Sequence, residues 1–342
     1  MKRIATTPRL GLALVAALLL APACGNKAGD AAPAATGAAT PPAAQAPASP
    51  PQGAAVANRP ASAVPAPAPA REPLFKRTGK PGEIPFDYPA VTTTAKAGDY
   101  VLVPSKHFVD DAFAKGTDQQ TFIFYAARLV EAGKDESKVK TMNNGKDEGG
   151  VEETIPNSLI IPIHKGDKAK PGDVLLTWWQ SGSGMQRSIV VAGGSETEPK
   201  VRHLDLPIDN PGGAALRDDT LKADSFQKID GDWAPGKTVA AKDPSGYKFG
   251  IITGSTSDKV LVVGFAGRMH VYAKADCVQI PVAPSVKPGD TVFVPHLGAF
   301  YKGNVEKVDA AVGRVYTKFQ FGSQSVSAGI PAPNVATSLA GI

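Results

Sequence analysis

From residue 90 onward the chain alternates short apolar runs with glycine-bearing turns, and one phrase recurs. KAGDYVLVP begins at Lys96, KPGDVLLTW at Lys170 and KPGDTVFVP at Lys287; APGKTVAAK at Ala234 is a fourth version. In each, a glycine and a polar residue precede an apolar or alternating run, which predicts a turn opening into a β-strand. A second phrase follows the first. FYAARLVEAGKDESKVKTM from Phe124 aligns without a gap with FYKGNVEKVDAAVGRVYTKF from Phe300. That alignment sets Phe124-Tyr125 against Phe300-Tyr301, Leu129 against Val305, and Val139 to Thr141 against Val315 to Thr317. YKFGIITGSTSDKVLVVGF is a related line, with Tyr247, Gly250 and Val260 in similar places, and TWWQSGSGMQRSIVV from Thr177 is a divergent one. Self-similarity of this kind is read before any motif. Each unit reads as strand, aromatic loop, strand, turn, strand and a polar end carrying Ile-Pro, with units at 90–165, 166–230, 231–283 and 284–338. Some five short strands in ~50–70 residues predict an all-β chain of small, strongly bent barrels.

The repeats decide how to read GDWAPGKT, Gly231 to Thr238, which fits the nucleotide-binding pattern G-x-x-x-x-G-K-[S/T] letter for letter. That pattern works only between a buried strand and a helix whose N-terminus faces the phosphates. Here Gly236-Lys237 takes the place of Gly289-Asp290, and Thr238-Val239 that of Thr291-Val292. A short strand broken at Pro244-Ser245-Gly246 follows, with no room for the helix. The stretch predicts a linker and a strand-opening turn, not a nucleotide site.

PGDTVFVPHLGAFYKGNVEKVDAAVGRVYTKF resembles Tudor-like and agenet-like members of the SH3-like barrel group. Their line is a Gly-Asp-x-Val strand, an aromatic pair before x-G-x-V, then a turn and a V-x-V strand. The resemblance covers 289–319 well, 98–142 fairly and the other two units weakly. It implies four tandem SH3-like barrels. Tudor-type readers hold a methylated cation among several aromatic faces, and Phe300, Tyr301, Tyr316 and Phe319 lie in the matching module. Alternation sends some of these into the core and no acidic cage residue can be placed, so a cage is not expected. Barrels this small are marginal alone, and burial between repeats is expected.

The N-terminus has a different character. Lys2, Arg3 and Arg9 flank the apolar run Leu10 to Leu20, too short to span a bilayer, and Ala21-Pro22-Ala23-Cys24 follows. This resembles a bacterial lipoprotein signal, 1–23, with Cys24 as the acylated residue, although Leu20 stands one place too early. Ala21-x-Ala23 also satisfies an ordinary signal-peptidase site. Gly25 resembles the residue that follows the cysteine in outer-membrane lipoproteins. Residues 24–72 are expected to be a disordered tether: 28–71 holds 19 Ala and 10 Pro among 44 residues, without Leu, Ile, Phe, Tyr or Trp. Extended, it reaches on the order of 130 Å.

Charge narrows the partners. Of 37 Lys and Arg, six lie in 1–72, and of 32 Asp and Glu, two do, leaving 31 against 30 in the folded part. The basic footprint of a nucleic-acid binder is missing. With Cys24 acylated, Cys277 has no partner, so apolar cores rather than disulfides must hold the fold.

Candidate chemistry is sparse. His107, His164, His203, His270 and His296 lie in different repeats at no metal-ligand spacing, and are expected at surfaces or strand edges. Cys277, seven residues after His270, lies in a closing strand and is expected to be a small buried apolar residue rather than a nucleophile. SGSG from Ser181 is not G-x-S-x-G, and Asp230-Gly231-Asp232 lacks a calcium loop. Trp178-Trp179 should place one ring in the core and the other, Trp179, outward, either as an interface or sugar platform or packed against the next barrel. Arg187 and Tyr125 are weaker surface candidates. The reading is therefore a non-enzymatic envelope lipoprotein without metal or cofactor. It binds a peptide, glycan or protein partner through Trp179, Phe300 and Tyr301. A cell-wall hydrolase and a purely structural repeat protein are the alternatives.

Overall fold

Every strand-opening phrase adopts one turn. Gly98, Gly172, Gly236 and Gly289 all have positive φ, between 86° and 93°, a conformation that side chains disfavour. Each donates its backbone N–H to the second strand of its unit, at Leu129, Val190, Ile252 and Val305, over 2.8–2.9 Å. In three of the turns an aspartate closes the loop: Asp99, Asp173 and Asp290 accept from the N–H of Lys96, Lys170 and Lys287 at 2.7–2.9 Å. The fourth has Lys237 in that place.

The computed structural model describes residues 88–115, 120–142, 149–180, 184–206 and 218–340. The expected signal, Cys24 and tether lie outside them. The described residues are mostly β, with one helix, and form antiparallel meanders. The first comprises β1 (Tyr100–Pro104), β2 (Phe124–Glu131), β3 (Glu136–Thr141), β4 (Glu152–Pro156) and β5 (Ile161–Pro162), ordered β4-β3-β2-β1-β5. The second comprises β6 (Val174–Trp178), β7 (Met185–Gly194), β8 (Pro199–His203), β9 (Asp218–Thr220) and β10 (Gln227–Lys228), ordered β10-β6-β7-β8-β9.

The same order recurs in β11 (Thr238–Asp243), β12 (Gly246–Ser255), β13 (Lys259–Gly264), β14 (Met269–Ala273) and β15 (Cys277–Gln279). It appears once more in β16 (Thr291–His296), β17 (Ala299–Asp309), β18 (Arg314–Phe321) and β19 (Gln324–Pro331), where Ala336 bridges back to Phe293 as the fifth segment. In all four, the last segment returns to pair with the first strand. No sheet closes on itself among the described residues.

A bulge falls at the same place each time, just beyond the residue that accepts the turn's N–H. It follows Leu129, Val190, Ile252 and Val305. Bulges raise local twist, which lets such short strands enclose an apolar interior. A single 3-10 turn precedes the closing segment at Asn157–Leu159, Lys274–Asp276 and Ala332–Asn334.

Two expectations need correction. The gapless alignment fails after the second strand: Leu129 pairs Val139, whereas Val305 pairs Thr317. Val139 therefore corresponds to Thr317 and not to Val315, because the hairpin after β17 is two residues longer. The aromatic loop of the first unit also holds a helix, α1 (Lys106–Lys115). Phe108, Val109, Ala112 and Phe113 pack on the core at helical spacing, and the Val109 N–H bonds Ser105 O at 3.2 Å.

Apolar burial joins the meanders. One core runs through the first three, with Tyr100 against Trp178 (ring centroids 4.9 Å apart) and Leu261 and Met269 contributed from the third. Each such fully buried side chain is worth ~1.5–3 kcal/mol. The third and fourth meanders share Ala240, Ile280, Ala336 and Leu339, and Lys248 of β12 pairs Ala299 of β17.

The turn glycines make a graded test. Gly98→Ala should cost about 1–2 kcal/mol from the left-handed backbone alone, because nothing lies within 4 Å of the added Cβ. Gly236→Ala should cost more, since its Cβ would stand 2.7 Å from Ile229 Cδ1. Urea midpoints should fall from wild type to Gly98→Ala to Gly236→Ala.

Candidate functional site

The nucleotide-like stretch ends in a strand. Thr238 opens β11, no helix follows it, and its hydroxyl is engaged. Arg187 Nη1 donates to Thr238 Oγ1 at 2.7 Å, and that hydroxyl donates to Asn334 Oδ1 at 2.7 Å. Three meanders thus meet in one hydrogen-bond chain. Arg187 was expected at the surface; it is instead fully buried. Asp205 explains how a guanidinium can stay there. Its carboxylate accepts from Arg187 Nε at 3.1 Å, from Nη2 at 2.5 Å and from the Arg187 backbone N–H at 2.9 Å. From the fourth meander, buried Arg314 donates through Nη2 to the carbonyls of Leu204 and Leu206. Burial pushes the Asp205 carboxyl up, but the charge and hydrogen bonds of Arg187, with Arg314 beyond, outweigh it and hold the carboxyl below its ordinary range.

A second polar cluster lies inside the second sheet. Ser188 Oγ is 2.8 Å from His203 Nδ1, and His203 Nε2 is 3.0 Å from Asp219 Oδ2. His203 was expected at a surface or strand edge; it is only 2% exposed, because cross-strand pairing sets it beside Ser188. The types and order are those of a nucleophile relay, but the Ser188 side chain has no exposed surface. Sequence spacing could not have joined these residues, since strand register alone brings them together. Cys277 is buried, and burial pushes its thiol up to about 12, which leaves it inert.

The expected binding residues have three different places. Trp178 is the buried partner of the pair; Trp179 is half-buried, its backbone N–H donated to Gly184 O at 3.0 Å. Phe300 packs into the joint of the third and fourth meanders, 6.3 Å from Phe249. Tyr301 is half-buried within an aromatic cluster that His296 and Phe321 complete. It lies 6.1 Å from Phe319 and 5.6 Å from Phe321, while His296 lies 4.7 Å from Phe321 and 5.3 Å from Phe319. Rings this close fill one another's space and leave none for a quaternary ammonium. Burial also pushes His296 down, keeping its imidazole neutral. What remains is an aromatic end surface around Tyr301, His296 and Phe321, over buried Phe319. Tyr316 stands apart, beside Lys307 at 5.4 Å.

No metal-binding group of His, Cys, Asp and Glu occurs among the described residues, and none of their helices is long and apolar enough to cross a membrane. Compared with known proteins, the chain matches no family model and no curated protein.

Arg187→Met leaves Asp205 without its counter-charge and should destabilise the chain by roughly 3 kcal/mol. The Asp205 carboxyl is lower in the folded chain than the ~3.9 of an unfolded aspartate. Its contribution is therefore present above that value and lost as pH falls through the folded one. Asp205→Asn should flatten the acid limb of stability below about pH 4, read by thermal melts between neutral and strongly acidic buffer.

Proposed function

We propose that the chain is a non-enzymatic, lipid-anchored envelope protein. Four SH3-like barrels in series would act as a binding or scaffold module for a peptide, glycan or protein partner. The observation that carries this reading is the fourfold recurrence of one small β unit with the same turn, bulge and returning segment. A serial array presents surface rather than a cleft in which reactive groups converge. Arg187, Asp205 and Thr238 hold one another across a joint rather than facing a ligand. Tyr301, with His296 and Phe321 beside it, gives the partner an amphipathic aromatic surface, and half-buried Trp179 a second. Phe300 serves the joint and not the ligand. Export, acylation at Cys24 and placement in the outer membrane rest on the sequence of residues 1–25.

A hydrolase of envelope polymers is the second reading, and the Ser188–His203–Asp219 relay is what favours it. Purified chain incubated with isolated cell-wall polymer separates the two. The binding reading expects retention on envelope material that falls at least about tenfold in Tyr301→Ala, a hot-spot loss, with no polymer released. Turnover abolished by Ser188→Ala would replace it with the hydrolase. Blocking lipoprotein processing should move the chain out of the membrane fraction and change its mass; no change in either would remove the anchor.

A further inference from the structure

Three large apolar side chains are exposed where the surface should be polar. Ile123 is 42% exposed, Phe265 54% and Leu297 53%. They come from three different meanders, yet their backbones touch. Phe122, next to Ile123, donates its N–H to Gly267 O at 2.8 Å. A Cβ added to Gly298, next to Leu297, would stand 2.7 Å from Phe265 Cβ. The three tips therefore form one continuous crest.

Two of these tips hold a conformation that residues with a Cβ disfavour. Leu297 has φ 47° and Ala266, between Phe265 and Gly267, has φ 57°. Leu297-Gly298 is the two-residue connection between β16 and β17, where asparagine or glycine at the first place would relax the turn. An aliphatic side chain kept there, half in water, adds nothing to the core beneath it.

Charge selects the occupant. The stretches that build the crest, 120–124, 247–249, 264–270 and 296–300, contain the cations Lys248 and Arg268 and no Asp or Glu. Turn tips offer no free strand edge for a peptide to join and no wall for a sugar to lie against. Apolar points with cations beside them match a fluid anionic bilayer, in which such side chains enter the headgroup boundary while Lys and Arg meet the phosphates. We propose that Ile123, Phe265 and Leu297 form a crest that settles on an anionic lipid surface. The proposal draws on the anchored reading above, since a chain tethered at Cys24 would stay within reach of its membrane.

The test uses the processed, unacylated Cys24→Ser chain and sedimentation with vesicles. One set is phosphatidylglycerol with phosphatidylethanolamine, and the other is phosphatidylcholine alone. The chain should sediment with the anionic vesicles only, and less so as salt rises. Phe265→Ser with Leu297→Ser should lower the partition at least about tenfold, and Arg268→Glu should lower it too, with thermal unfolding close to wild type in both. Failure to sediment, or equal partition of the crest variants, overturns the proposal. A concentration-dependent dimer abolished by the same variants also overturns it, assigning the crest to a second copy of the chain. Loss of the acyl group in the natural chain with vesicle binding intact would remove the anchor and leave the crest standing.

Discussion

A guanidinium with no exposed surface must be matched where it lies, and the assembly of the meanders depends on how Arg187 is matched. Asp205 neutralises it within its own sheet, Thr238 accepts from it in the next meander, and Asn334 receives the relay in the last. The hydrophobic drive to bury apolar area has no direction of its own. A fork of fixed N–H donors has one. The relay supplies orientation where the surrounding leucines and valines supply most of the burial free energy.

Much of the fold was legible in the sequence because its causes are local. A glycine at positive φ before an apolar run leaves a mark at Gly98, Gly172, Gly236 and Gly289, and the first four strands of each unit pair in chain order, as sequential antiparallel strands commonly do. Lengths were less legible than order. The two extra residues after β17 shift register without disturbing the alternation that flags a strand, so nothing in the sequence pairs Val139 with Thr317. Helix α1 was hidden for another reason: its apolar residues fall in a loop that the other repeats fill without one.

The polar sites were not legible at all. Arg187 and Thr238, or Ser188, His203 and Asp219, meet through register and docking, which no spacing rule reports. The aromatics carry the same sequence signal at Phe300 and Tyr301, but Phe300 points to the opposite side of the strand, into the joint, and only the packing of the third meander on the fourth distinguishes them. Surface and joint differ here by one residue of alternation.

The relay has a consequence for how such a chain can change. Ordinary repeat arrays gain and lose modules freely, because every boundary is chemically the same. Here each boundary has its own lock: Tyr100 on Trp178 at one, Phe249 on Phe300 at another, and the Arg187 chain across three. Excising the second module would leave buried Arg314 without the Leu204 and Leu206 carbonyls that accept from it, and excising the third would take Thr238 away from Arg187. The modules joined by the Arg187 chain are therefore not interchangeable.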